Sequence, residues 1–219
     1  MDAPFAVIFD MDGVLFDTET IALRCWGEAA KTLGLDGWRE LYPQCIGITQ
    51  PKTKALWVEH WGEENAEAFG KEILAVYDRE YAGRPVPQKP GAAEILTALD
   101  EKGIPLAVAS STPEARVRQH LTEAGFLPSF DAVIGGDRLQ RSKPAPDIFL
   151  LAAEALGAEP GRCFVIEDSF NGIRAAHAAN MHPIMVPDLL APTEEIAGMA
   201  EVVAADLFEA MEYLMRTEK

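Results

Sequence analysis

Basic residues are scarce in this chain: 19 lysines and arginines stand against 35 aspartates and glutamates, a formal net charge of −16. Such a surface repels phosphate backbones, which argues against nucleic acid as a partner. An anionic ligand must then be met by a few local cations, so each cation near a candidate site carries weight. Cysteine is scarce too. Cys25, Cys45 and Cys163 stand alone, with no C-x-x-C spacing, the pattern of reduced, packed thiols in a cytoplasmic protein rather than of a disulfide framework. No stretch approaches the ~18 uninterrupted apolar residues of a membrane helix, and no membrane partner is expected. Residues 1–4 carry no basic group, and the apolar run after them is broken by Asp10 and Asp12. A secretory leader is therefore not expected. The histidines, His60, His120, His177 and His182, never fall at ligand spacing such as i, i+4, so solvated or capping roles are expected of them.

What is present suffices for a core: 48% of the 219 residues are hydrophobic and 25% charged, which fits one large domain or a main domain with a smaller insert. Phe5-Ala6-Val7-Ile8-Phe9 is a continuous apolar run ending in an acid, as in a strand buried on both faces of a parallel sheet. Comparable runs occur at 105–109, 132–134, 163–166 and 183–186, with helical pattern at 91–102, 113–125, 146–157 and 169–180. This alternation predicts an α/β fold with a doubly wound, mostly parallel sheet. Residues 18–81 break the rhythm and hold no convincing strand. Ile21, Cys25, Ala29 and Leu33 recur at steps of four beside Trp26, predicting a helix that Gly34 ends, and a second long helical pattern covers 63–81. All four tryptophans, Trp26, Trp38, Trp57 and Trp61, lie here and are expected to build a separate core. The proline-rich stretch 83–91 reads as a stiff return linker. The expected division is an α/β core, residues 1–16 and 87–219, and an all-helical cap, residues 17–86.

Chemistry concentrates where strands are predicted to end. Asp10-Met11-Asp12-Gly13 directly follows the first strand, and ligands of open α/β sheets bind outside the carboxyl ends of strands. One acid can then serve as nucleophile or metal ligand while the other handles protons. A helix cap or solvated turn is the plain alternative for a lone D-x-D, but the apolar run before it makes an unpartnered acid costly. Glu167-Asp168-Ser169 ends another predicted strand. Carboxylates from two strand ends supply hard oxygen ligands suited to Mg²⁺, without which they would repel one another. N-capping by Asp168 or Ser169 explains either residue alone, but not the coincidence of two acidic pairs. Ser110-Ser111-Thr112 ends the second strand before a helix, where a hydroxyl and backbone N–H groups form an anion site, though the same residues are ordinary caps. Lys143 sits in a loop stiffened by Pro144 and Pro146. A solvated lysine would be the default, yet an acidic protein that binds phosphate among carboxylates needs one such ammonium.

In this order and placement the segments resemble the haloacid dehalogenase-like superfamily, whose motifs are D-x-D-G, a Ser/Thr, a Lys and an acidic pair. F-D-M-D-G-V-L-F-D-T-E, S-K-P-A-P-D-I-F and E-D-S-F-N-G-I-R-A-A look like its β-phosphoglucomutase-like branch, which carries a helical cap after the first motif. The resemblance implies a magnesium-dependent enzyme in which Asp10 forms an aspartyl-phosphate and Asp12 protonates the leaving oxygen and later activates water. It implies Mg²⁺ held by the Asp10 carboxylate, the Asp12 carbonyl and Asp168, with Glu167 either a direct ligand or a brace. Ser110, helped by the Ser111 backbone, would bind a phosphate oxygen, and Lys143 would bridge the phosphoryl group and Asp10. Asp12, rather than Tyr or Phe, argues against dehalogenation, which needs no leaving-group acid.

The cap departs from the mutase pattern. Mutases of this kind have a His in the first cap helix, where this chain has Ala22, and an Arg in a cap loop, where Gly47-Ile48-Thr49-Gln50 places Gln50. A neutral amide cannot replace the bidentate charged grip of Arg on a distal phosphate; Lys52 or Lys54 could compensate, although surface roles suit both. The favoured reading is hydrolysis of a small phosphate monoester, of a sugar or similar metabolite. A phosphosugar mutase is the alternative. A non-catalytic binding protein is a third, whose hallmark, loss of Asp10, Asp12 or Lys143, is missing. A monomer is expected.

Overall fold

The computed structural model describes residues 5–217; residues 1–4, read above for their lack of basic groups, and 218–219 lie outside the described residues. The five apolar runs form β1 (Ala6–Phe9), β2 (Leu106–Ser110), β3 (Ala132–Gly135), β4 (Cys163–Glu167) and β5 (His182–Met185), joined by a short β6 (Val202–Val203). All pair in parallel, in the order β3-β2-β1-β4-β5-β6. Every residue of β1 and β2 is buried, as the unbroken apolar runs require when helices cover both faces.

Side-chain alternation decides which layer each residue joins. Val7 and Phe9 pack beneath α5 (Ala92–Asp100), α6 (Glu114–Ala124) and α10 (Leu207–Thr217), whereas Ala6 and Ile8 pack beneath α7 (Asp147–Leu156) and α8 (Phe170–Ala178). The chain builds β1, β2 and β3 outward in one direction, then returns to place β4 on the other side of β1. That reversal opens a crevice at the carboxyl ends of β1 and β4.

Four helices leave and re-enter beside this crevice: α1 (Thr18–Leu33), α2 (Trp38–Cys45), α3 (Gln50–Trp61) and α4 (Glu63–Tyr81). They close on an aromatic cluster of their own. Trp26 meets Tyr42, Trp57 and Phe69 edge-on at ring separations of 4.8, 5.2 and 5.3 Å, while Trp38 and Trp61 pack against its rim. The outgoing and returning strands of the connection run side by side, with Asp17 N–H donating to the Pro87 carbonyl at 2.8 Å and Lys89 N–H to the Leu15 carbonyl at 2.9 Å. These bonds tie the stiff return linker expected at 83–91 to the core at its far end. A short α9 (Glu194–Met199) lies beyond β5.

Candidate active site

Asp10, Ser110, Lys143, Glu167 and Asp168 are buried, although each carries a polar or charged group. They come from the ends of the three central strands and one loop. Asp10 follows β1, where its N–H donates to the Ile166 carbonyl at 2.9 Å. Ser110 is the last residue of β2 and Glu167 the last of β4, followed by Asp168. Lys143 reaches in from the β3–α7 loop, over the Phe149 ring at 4.9 Å.

Lys143 is fully buried and its ammonium lies between two carboxylates, 2.5 Å from Asp10 Oδ1 and 2.5 Å from Glu167 Oε1. The Ala109 carbonyl stands at 3.4 Å. A buried cation is tolerated only when paired and hydrogen-bonded, and this pairing outweighs desolvation, raising the Lys143 pKa above that of a free lysine. Asp10 is driven the other way: burial pushes its carboxyl up, against Lys143, with Glu167 and Asp12 adding to the rise. The other Glu167 oxygen, Oε2, accepts from Ser169 N–H at 2.8 Å and Ser169 Oγ at 2.9 Å. Both of its oxygens thus have protein donors, which suits a brace for Lys143 better than direct metal ligation. Lys143 itself points all its donors at protein oxygens rather than at an open subsite.

Asp12 is held by hydroxyls. Ser110 Oγ donates to Asp12 Oδ2 at 3.0 Å and Thr112 Oγ1 donates to the same oxygen at 2.8 Å, while Thr112 N–H donates back to Ser110 Oγ at 3.1 Å. Contact between Ser110 and a phosphate oxygen therefore requires its hydrogen to turn away from Asp12. Gly13 takes φ +76°, and a Cβ there would collide with the Asp168 carboxylate. Only glycine lets the first acidic turn lie this close to the second.

Asp168 accepts no hydrogen bond and no ion pair among the described residues, and burial, then Glu167 and Asp10, push its carboxyl well up. No three His, Cys, Asp or Glu groups among the described residues stand so that they could hold a metal ion by themselves. The two under-neutralised carboxylates, Asp10 and Asp168, beside the Asp12 turn nevertheless fit a hard divalent cation that takes one or two carboxylates and keeps several waters.

A cavity of about 500 Å³ separates these strand ends from α1–α4 and is lined by Asp10, Asp12 and Asp168 on the core side. Two cap carbonyls rest on the core loops: Ser111 Oγ donates to the Gly47 carbonyl at 2.9 Å and Asn171 Nδ2 to the Ile46 carbonyl at 3.1 Å. Ala22 and Gln50 both line the cavity, whereas Lys52 and Lys54 do not and are exposed. Several lining residues escaped the sequence reading. Glu19 lies two residues past Asp17, and its carboxylate accepts from Tyr42 Oη at 2.6 Å. Thr112 carried a signal, as the third hydroxyl of Ser110-Ser111-Thr112, whereas nothing marked Tyr42 or Arg116. His120 is buried and lines the cavity, its Nδ1 without a hydrogen bond and 3.9 Å from Glu123 Oε2, instead of being solvated or capping.

Comparison with known proteins adds to this geometry. A family model described as haloacid dehalogenase-like hydrolase matches residues 6–180. The plasmid-borne protein CbbY of Cupriavidus necator is 34% identical over 212 residues, covering 88% of this chain and 82% of that protein. Hexitol phosphatase B of Escherichia coli is 32% identical over 208 residues, covering 93% of each chain. Among solved structures, CbbY from Rhodobacter sphaeroides in complex with xylulose-(1,5)bisphosphate superposes with a TM-score of 0.75 at 28% identity, over 94% of this chain and 96% of the other.

Proposed function

The chain belongs to the haloacid dehalogenase-like hydrolases, and we propose that it is a magnesium-dependent phosphatase acting on a small phosphate monoester, of a sugar or similar metabolite, through Asp10. The observation that carries this reading is the Lys143 ammonium fixed between Asp10 and Glu167 at the mouth of β1, with Asp168 beside it and lacking a protein partner. Mg²⁺ would be held by the Asp10 and Asp168 carboxylates and the Asp12 carbonyl, and when bound it neutralises charge on the phosphoryl oxygens.

The chain's own groups divide the work. Lys143 pulls the Asp10 carboxyl back towards its ionised form, in part against burial, and fixes its direction. An Asp10 oxygen adds to phosphorus as the ester P–O bond breaks, and Asp12 delivers its proton to the departing oxygen. Asp12, now ionised, takes a proton from water, whose oxygen adds to phosphorus as the bond to Asp10 breaks. Phosphate leaves and Asp12 is protonated again. Ser110 and Thr112 orient Asp12 for both transfers. Residues 17–86 act as the cap over this chemistry, and residues 1–16 and 87–219 as the core.

The mutase reading is less well supported. It needs a cap group to grip a distal phosphate, and the positions available carry Ala22 and Gln50, neither of them cationic. Phosphate release from a panel of sugar phosphates with Mg²⁺ tests the proposal. Asp10→Asn is expected to lower the rate by at least roughly 10³-fold. Conversion of β-glucose 1-phosphate to glucose 6-phosphate faster than phosphate release would overturn hydrolysis as the main reaction.

A further inference from the structure

The cavity between the cap and the strand ends is poor in cations. Arg116 is the single Arg or Lys on its lining, against the acids Asp10, Asp12, Glu19, Asp78 and Asp168. Arg116 is exposed and belongs to α6 of the core, while its guanidinium lies over the ring of Tyr77, in α4 of the cap, at 5.3 Å. Both residues line the cavity, so the side chain reaches from the core wall to the cap wall where the cavity meets solvent. In a chain with 35 acids and 19 basic residues, a cation ordinarily finds a carboxylate. Glu114, two residues before Arg116, pairs instead with Arg118 at 2.8 Å and Arg138 at 3.7 Å. The Arg116 side chain makes no ion pair or hydrogen bond with any described residue. A ring face holds a guanidinium only weakly at an exposed site, and it offers no oxygen to the N–H donors.

This cation stands within reach of the chemistry. Thr112, whose hydroxyl donates to Asp12 at 2.8 Å, lies four residues before Arg116, at most about 14 Å of chain. His120, one turn further along α6 and on the same lining, feels both charges: burial holds its pKa down, Asp12 pulls against that and Arg116 adds to it. A guanidinium with open donors and one unit of charge matches a carboxylate in shape and in charge. It does not balance a second phosphate, which carries about −1.5 to −2 and would leave charge uncompensated among the lining acids.

We propose that Arg116 is a specificity-determining residue that binds a carboxylate on the leaving group, so that the preferred substrates are phosphate monoesters of hydroxy acids, sugar acids among them. Tyr77 positions the guanidinium from the cap side. The proposal deepens the phosphatase reading and rests on it.

The test measures kcat/KM for phosphate release, with Mg²⁺, from 6-phosphogluconate, sorbitol 6-phosphate, fructose 1,6-bisphosphate and p-nitrophenyl phosphate. Wild type, Arg116→Gln, Arg116→Lys and Asp10→Asn are compared. The first two compounds share a carbon skeleton and differ in the carboxylate that ends one of them. Wild type is expected to favour 6-phosphogluconate over sorbitol 6-phosphate roughly 5- to 50-fold, the charged contact being exposed and partly screened. The preference is expected mainly in KM, and 6-phosphogluconate is expected to surpass the bisphosphate as well. Arg116→Gln is expected to abolish the preference over sorbitol 6-phosphate, and Arg116→Lys to keep part of it. Three results overturn the carboxylate subsite while Asp10-dependent release keeps the phosphatase reading. They are a wild type with no preference for 6-phosphogluconate, a preference for the bisphosphate, or a ratio that Arg116→Gln leaves unchanged because both compounds lose equally. Absence of Asp10-dependent release from every compound overturns that reading and the subsite with it.

Discussion

Lys143 shows how one residue can bear on both stability and the proposed chemistry. Its ammonium offsets two buried carboxylates, so removing it leaves both Asp10 and Glu167 without their cation. Lys143→Met is expected to lower unfolding free energy by about 3–5 kcal/mol, read from urea denaturation; a change below about 1 kcal/mol would mean that the pair is already solvated. Lys143 stood out in the sequence only because an acidic chain needs a cation somewhere near a phosphate. That its donors go to Asp10, Glu167 and Ala109 could not be read there, since the three residues are remote in sequence and meet only when β1, β2 and β4 lie side by side. Glu19 was hidden for a similar reason. It sits in the first turn of a helix, where an acid is the ordinary dipole partner, and only the arrival of Tyr42 from α2 turns it into part of a wall.

Among the elements, strands of the core were legible because burial on both faces leaves no polar position to blur the run. β6 was not: two residues, Val202 and Val203, carry no period. In the cap, α1 was found from steps of four, and Cys25, Trp26 and Ala29 are buried on that face, but its last step leaves it. Each step of four overshoots a full turn by about 40°, so by Leu33 the stripe has rotated into solvent, and Leu33 is 37% exposed while Ala30 is buried. α2 and α3 gave no usable pattern. Pro43 lies inside α2, and α3 begins beside Pro51 and spreads its apolar residues round its axis. Yet the loop between them rests directly on the core. Gly47 takes φ +76°, and a Cβ there would strike Ser169 Oγ, so Gly47→Val is expected to unseat the Ser111 and Asn171 bonds. A loss of roughly 10- to 100-fold in kcat/KM should follow, measured by phosphate release; wild-type activity would show that the loop need not seat.

The start of β5 offers a pH test. Burial lowers the pKa of His182, but the Glu201 carboxylate at 2.7 Å and the Gly161 carbonyl at 2.9 Å outweigh it, so the net shift is upward. A raised folded pKa contributes stability that is fully present below the unfolded value of about 6.5 and is lost as pH rises through the folded value. Glu201→Gln should therefore destabilise the protein more at about pH 5.5 than at about pH 9, as followed by thermal unfolding at both. Equal losses would contradict the assigned pair.

At the scale of the whole molecule, two charge patterns coexist. The surface carries most of a net −16, whereas the crevice between β1 and β4 holds a buried ammonium and two carboxylates, Asp10 and Asp168, whose pKa values burial and mutual repulsion raise. The fold class was open to reading because alternating strand and helix patterns leave few topologies, and the candidate acids because each interrupts or ends an apolar run. The cavity wall was not. It forms only where the cap helices and the strand ends face each other, and no local pattern in either part records the other. The proposed chemistry turns on Asp10 carrying the phosphoryl group. Mass spectrometry of acid-quenched turnover with Mg²⁺ and a sugar phosphate tests this most directly. The expected result is one phosphoryl mass on the peptide containing Asp10, absent from Asp10→Asn; phosphate release by Asp10→Asn at the wild-type rate, with no such adduct in either protein, would contradict it.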